Sequence, residues 1–144
     1  IGQDRESEDI MQEVFMKAYR HLEGFKKSSQ FLTWLYRITV NTTYDFLRKR
    51  KYLVNDEEQL GSSASGEPSP REDLLARERD AIIQNALGKI PLKFRAAVVL
   101  KDIEDLNYQQ IAQILHCRIG TVESKIYRGR QFLKAELLKL EGEV

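Results

Sequence analysis

The sequence predicts an all-α chain: two small helical domains joined by a flexible acidic linker, the C-terminal one a helix-turn-helix. Three observations carry this. Apolar residues recur at helical spacing in every patterned segment of the 144 residues, and no segment alternates as a strand does. Residues 52–73 have no period and are rich in Gly, Ser, Pro and acids, which is too long a stretch for a loop inside a compact domain. Near the C-terminal end, two helical segments are separated only by residues 116–120, room for a turn and nothing more.

The first helix is expected over residues 8–23. Ser7 is placed to cap it, and Glu8 and Asp9 lie in the first turn, where the helix dipole favours acids. Ile10, Met11, Val14, Phe15, Ala18, Tyr19 and Leu22 form its apolar side, and Gly24 is expected to end it. Gln12, Glu13 and Lys17 lie on the outer side; spacing alone fits either a solvated face or a partner contact. Residues 25–30 are a short basic loop, with Phe25, Lys26 and Lys27 at its start.

The second helix runs from Phe31 to Arg50 without Gly or Pro and ends in a basic run. Set out at about 100° per residue, Phe31, Leu35, Ile38, Thr42 and Phe46 share one face, and Leu32, Val40 and Leu47 lie opposite. Between them runs a strip of Trp34, Arg37, Asn41 and Arg48. An aromatic, two guanidiniums and an amide in one line suit an unpaired nucleic-acid strand, whose bases stack and whose phosphates take Arg. The competing reading is that a lone tryptophan is simply core.

After the unpatterned stretch, Leu74, Leu75, Ile82, Ile83, Ala86 and Leu87 restore the helical period, and Gly88 is expected to close that helix. Pro91 is placed in the first turn of the next, with Phe94, Ala97, Val98 and Leu100 inward and Arg95 and Lys101 outward. Asn107 and Gln110 have capping-box spacing for the helix that follows. Ile111, Ala112, Ile114 and Leu115 give its inward face. Beyond the turn, Val122 and Ile126 anchor the last helix, Leu133 continues that side, and Ser124, Lys125, Tyr127, Arg128 and Gln131 face out. Residues 118–134 hold five basic side chains against the single acid Glu123. The second helix of such a pair lies in the DNA major groove, where Arg128 and Lys125 can read guanine or bind phosphate and Gln131 can read adenine. The plainer alternative is an amphipathic hairpin with a solvated basic face.

The totals limit the remaining classes. Apolar residues make up 42% and charged residues 31% of the chain, and no apolar run approaches a membrane span. One cysteine, Cys117, excludes an internal disulfide and fits a reducing cytoplasm. Two distant histidines make no metal cluster, and no nucleophile–base pair or phosphate loop points to an enzyme; no cofactor, metal or small-molecule substrate is expected. The net charge of +1 hides a segregation. Residues 1–54 hold ten Lys/Arg against seven Asp/Glu, residues 55–75 one against six, and residues 76–144 twelve against nine. Two basic blocks around an acidic link suggest two nucleic-acid-facing modules.

Four segments together resemble the bacterial extracytoplasmic-function (group IV) RNA polymerase sigma factors. They are SEDIMQEVFMKAY, F-x5-FLTWLYRITVNTTYDFLRKR, IPLKFRAAVVLKDIEDLNYQQIA and GTVESKIYRGRQFL, in this order around an acidic linker. The resemblance covers essentially the whole chain, the linker in character only. It implies domain 2 over residues 1–54, a linker over 55–73 and domain 4 over 74–144. It implies that Asp9, Gln12, Glu13 and Phe15 dock on the clamp coiled coil of core RNA polymerase, with a further polymerase contact at the flap. Phe25, Lys26, Lys27, Trp34, Arg37, Asn41 and Arg48 match positions that capture the melted, single-stranded minus-ten element. Arg118, Thr121, Glu123, Ser124, Lys125, Tyr127 and Arg128 match positions that read the upstream minus-thirty-five element as duplex. The resemblance further implies a cytoplasmic promoter-specificity subunit, stress-responsive, held by an anti-sigma factor and not itself inserted in a membrane. The linker's negative charge either mimics RNA in a basic channel or is merely solvated.

Two departures stand out. The resemblance implies one more helix before the position of Ile1, so the first domain is expected to be N-terminally incomplete here, or that helix to lie before the sequence given. Glu123 stands where relatives often carry Lys or Arg; a carboxylate there can accept from a cytosine amino group or pair with Arg128 or Lys125. Two rivals remain: a self-sufficient helix-turn-helix regulator, and a protein-interaction adaptor of two helical modules.

Overall fold

The computed structural model describes residues 4–28, 30–54 and 71–142, which are helical almost throughout. Among the described residues there are six α-helices: α1 (Asp4–His21), α2 (Phe31–Val54), α3 (Arg71–Lys89), α4 (Leu92–Val98), α5 (Tyr108–Leu115) and α6 (Ile119–Gly142). A π-helical turn, Val99–Ile103, extends α4. Among the described residues there is no strand. The chain divides into two compact units, the first holding α1, α2 and the segment Gln113–His116, the second holding α3, α4, α6 and the start of α5.

In the first unit α1 packs on α2. Ile10 and Val14 are the buried apolar residues of α1, and Thr33 and Thr42 are buried on α2. The Lys17 ammonium donates to the buried Thr42 hydroxyl at 3.3 Å, so the hydroxyl does not lose its partner when water is excluded. At the other end Arg50 meets Glu6 at 2.9 Å and ties the close of α2 to the opening of α1. The expected apolar side of α1 is wider than what α2 covers. Met11, Phe15, Tyr19 and Leu22 stay exposed, because a two-helix hairpin gives each helix one neighbour.

Several element ends differ from expectation. The first helix begins at Asp4 and stops at His21, so Ser7 lies inside it rather than capping it. Gly24 is not left-handed; it donates to the His21 carbonyl at 3.1 Å in a simple turn. The second helix continues past Arg50 to Val54, since the basic run contains no breaker. Of the linker expected over 55–73, residues 55–70 lie outside the described residues and residues 71–73 form the first turn of α3. Gly88 does not close α3, which runs on to Lys89. Pro91 is the N-cap of α4, one position earlier than expected.

In the second unit Leu87, Ile90, Phe94 and Val98 form a buried cluster, with Val99 and Leu133 packed against it. The Phe94 and Phe132 rings stack at 5.7 Å, which joins α4 to α6. Gly129 lies where α6 passes closest to α4: a Cβ there would come within 3.1 Å of the Phe94 carbonyl oxygen and closer still to the Val98 methyl. Ile111, Ile114, Val122 and Ile126 are at most 2% exposed. Each such side chain contributes about 1.5–3 kcal/mol by burial.

Arg95 does not simply point outward. Its Nη2 donates to the Gly88 carbonyl at 2.5 Å and to the Ile90 carbonyl at 2.9 Å. It thereby satisfies carbonyls at the end of α3 that have no helical partner. The π-helical turn was not legible in the sequence. Its widened hydrogen bond runs from Glu104 N–H to the Val99 carbonyl at 3.0 Å.

Candidate nucleic-acid interface

The helix-turn-helix is assembled from local bonds. Asn107 and Gln110 exchange side-chain to backbone hydrogen bonds and start α5. Ile111 and Ile114 are buried; Ala112 and Leu115 are half-buried. The turn is shorter than the expected 116–120, because Ile119 and Gly120 already belong to α6. His116 carries the left-handed residue at φ 50°, a conformation usually left to Gly or Asn. Cys117 N–H donates to the Ala112 carbonyl at 3.1 Å, and Thr121 and Val122 N–H both donate to the Arg118 carbonyl.

Burial of Val122 and Ile126 fixes which side of α6 faces out. Arg118, Thr121, Glu123, Ser124, Tyr127 and Arg128 are exposed, and Lys125 is half-buried. Tyr127 is 67% exposed, a large aromatic with no core role. The Ser124 hydroxyl donates to the Gly120 carbonyl at 3.0 Å, so it keeps acceptor capacity for an incoming group. Among the described residues no ion pair joins Glu123 to Arg128 or Lys125. Arg130 differs from its basic neighbours. It is held by Asp102 of the π-helical turn through two hydrogen bonds, and that carboxylate raises its pKa further.

On the first unit, Phe25, Phe31 and Trp34 form an aromatic trio. Phe25 sits edge-on to Phe31 at 5.7 Å and 5.1 Å from Trp34, and Phe31 is 5.4 Å from Trp34. Phe25 and Trp34 are half-buried, while Phe31 is exposed. Phe31, expected on the apolar face it shares with Leu35 and Ile38, joins the trio instead; its spacing of three from Trp34 is the signal for that. Lys26 and Lys27 flank the trio, exposed. Further along the same strip Arg37 is half-buried, with a buried Nε that has no hydrogen-bond partner among the described residues. Asn41 is exposed, and Arg48 is exposed beside Asp45 at 3.5 Å.

On α1, Asp9, Gln12, Glu13 and Phe15 are all exposed. Glu13 pairs with Lys17 at 3.0 Å, and the hydrogen bond from that ammonium holds its carboxyl below the usual carboxylate range. Phe15 stands between two shallow apolar grooves, one shared with Met16, Tyr19 and Leu22, the other with Met11 and Val14. Among the described residues, no group of three or more His, Cys, Asp or Glu could hold a metal ion, and no helix is long and apolar enough to cross a membrane.

Comparison with known proteins gives a consistent result. Residues 1–52 match the family model of Sigma-70 region 2, and residues 80–133 match that of Sigma-70, region 4. An ECF RNA polymerase sigma-E factor of Haemophilus influenzae is 34% identical over 141 residues, covering 92% of this chain and 75% of the relative. The ECF RNA polymerase sigma factor SigW of Bacillus subtilis is 37% identical over 151 residues, covering 97% and 80%. Among solved structures, the sigma factor RpoE in complex with the anti-sigma factor NepR, from Bartonella quintana, superposes with a TM-score of 0.76 at 30% identity, covering 96% of this chain and 84% of that one. CnrH in complex with the cytosolic domain of CnrY gives 0.65 at 26% identity, covering 94% and 73%.

Proposed function

The chain belongs to the extracytoplasmic-function RNA polymerase sigma factors, and on that premise we propose that its two helical units divide promoter recognition between them. Members of this family are specificity factors rather than enzymes, and the chain acts with core RNA polymerase and promoter DNA. We assign residues 1–54 to polymerase docking and to the melted minus-ten element, and the second unit to the duplex minus-thirty-five element. Asp9, Gln12, Glu13 and Phe15 are the docking set. Phe25, Lys26, Lys27, Trp34, Arg37, Asn41 and Arg48 are the single-strand set. Arg118, Thr121, Glu123, Ser124, Lys125, Tyr127 and Arg128 are the duplex set.

Support for the duplex set comes from the layout of α6. Its inner side is fixed by Val122 and Ile126, which leaves Tyr127 and Arg128 free to face a groove. Support for the single-strand set comes from the aromatic trio beside two exposed lysines, a platform on which unstacked bases lie at about 1–3 kcal/mol per base. A flipped base costs a few kcal/mol to extract, which stacking of that size offsets. Control by an anti-sigma factor follows the pattern of the related RpoE, solved in complex with the anti-sigma factor NepR. The site of action is the cytoplasm, where RNA polymerase works.

The test is run-off transcription with core RNA polymerase on genomic fragments. Starts at a fixed set of positions, dependent on the added chain, support the assignment. Absence of any chain-dependent start refutes it.

A further inference from the structure

Arg130, Lys134 and Lys139 are the basic residues of α6 that the duplex set leaves out, and Arg130 stands nearest to that set. It lies about 200° around the helix from Arg128, at the border of the buried side. Arg130 is exposed there, so its guanidinium, on a flexible stem, stands in solvent where an anion could meet it. In this structure it is engaged elsewhere. Arg130 Nε donates to Asp102 Oδ2 at 3.0 Å and Nη2 donates to Oδ1 at 2.5 Å. The two contacts match the planar guanidinium fork to both carboxylate oxygens. Asp102 is positioned for this by the π-helical turn. The remaining ion pair of that turn, Lys101 with Asp105 at 3.4 Å, leaves Asp102 to Arg130.

We propose that Asp102 is a specificity-determining residue, which withholds Arg130 from DNA phosphates and so lowers indiscriminate duplex binding without touching the base-reading side chains. This rests on the reading of α6 as the duplex-facing helix. The physical reason is that phosphate contacts add affinity for every sequence alike, whereas base contacts add it for one. A cation removed from the phosphate set therefore improves discrimination. The arrangement costs little, because both groups are half-exposed and keep part of their hydration.

The test is binding of the full chain to a random-sequence duplex at low salt, followed as a function of salt concentration. Each phosphate contact contributes about 0.9 to the slope of log affinity against log salt, or roughly three-fold in affinity between 50 and 200 mM. Asp102→Asn is expected to steepen the slope by about 0.9. Arg130→Met is expected to leave the wild-type slope unchanged. The double variant is expected to return to it. An unchanged slope in Asp102→Asn overturns the proposal. So does a flatter slope in Arg130→Met, which means that Arg130 already holds a phosphate. A double variant as steep as Asp102→Asn also overturns it, because the gain then comes from losing the carboxylate's repulsion. If the wild-type chain shows no salt-dependent duplex binding, the duplex-facing reading of α6 fails, and the proposal with it.

Discussion

Asn107 and Gln110 close the first turn of α5 from both directions: Gln110 N–H donates to Asn107 Oδ1 at 2.8 Å, and Asn107 N–H donates to Gln110 Oε1 at 3.0 Å. The pair sets where the helix-turn-helix begins, and therefore where Ile111 and Ile114 enter the interior. Asn107→Ala is expected to lower the stability of the second unit by about 1 kcal/mol. Urea denaturation of the chain, followed by helical circular dichroism, measures it. No change would mean that packing alone places α5.

His116 holds a left-handed backbone at φ 50° without being Gly. That conformation costs an L-residue about 1–2 kcal/mol, and Gly gives back part of the gain through its freer unfolded chain. His116→Gly is thus expected to stabilise the chain by about 0.5–1 kcal/mol. A lower denaturation midpoint would contradict this.

Arg128 faces out from α6, two residues beyond the buried Ile126. Arg128→Ala should weaken binding of the polymerase-bound chain to duplex carrying its upstream element by about 1–3 kcal/mol, the range of a bidentate base contact. A uniform loss across unrelated sequences would instead mark Arg128 as a phosphate contact.

Asn41 is exposed on the same side of α2 as Trp34 and Arg37. Asn41→Ala should leave co-purification with core polymerase unchanged and impair opening of a duplex promoter. A pre-melted template should recover much of the lost transcription. Normal opening on duplex templates would remove Asn41 from the single-strand set.

The Glu13 carboxyl is held low by its Lys17 hydrogen bond. Its folded pKa is below its unfolded value, so its contribution is fully present above the unfolded value and is lost as pH falls through the folded one. The relevant window lies below about pH 4.5. Glu13→Gln is expected to flatten the acid limb of stability in that window. A limb unchanged in shape would show that the pair is worth nothing in solution.

The second unit was more legible in the sequence than the first, for a physical reason. Capping boxes, short turns and buried anchors are local patterns, so Asn107, Val122 and Ile126 declared themselves by spacing. Asp102 and Arg130 did not, because a pair so far apart along the chain meets only through the packing of α4 on α6. The π-helical turn was hidden for a related reason: one widened hydrogen bond does not alter composition. On α1 the apolar period marks the helix, but not how much of its apolar side is covered. Met11, Phe15 and Tyr19 have the spacing of a buried face, yet spacing cannot say how many neighbours a helix has. The glycines misled in the same way, since Gly24 and Gly88 occur near helix ends without adopting the left-handed turn that would make them stops.

The central claim is that two modest units become a promoter reader only on the polymerase. The most direct measurement is gel-shift selection from a promoter-length DNA library, with and without core RNA polymerase. The account predicts selective binding only with core, and selected sequences that share two separated elements, one in the duplex bound upstream and one in the melted segment. Tight, sequence-specific binding by the chain alone, unaffected by core, would contradict it and would make the protein a self-sufficient helix-turn-helix regulator.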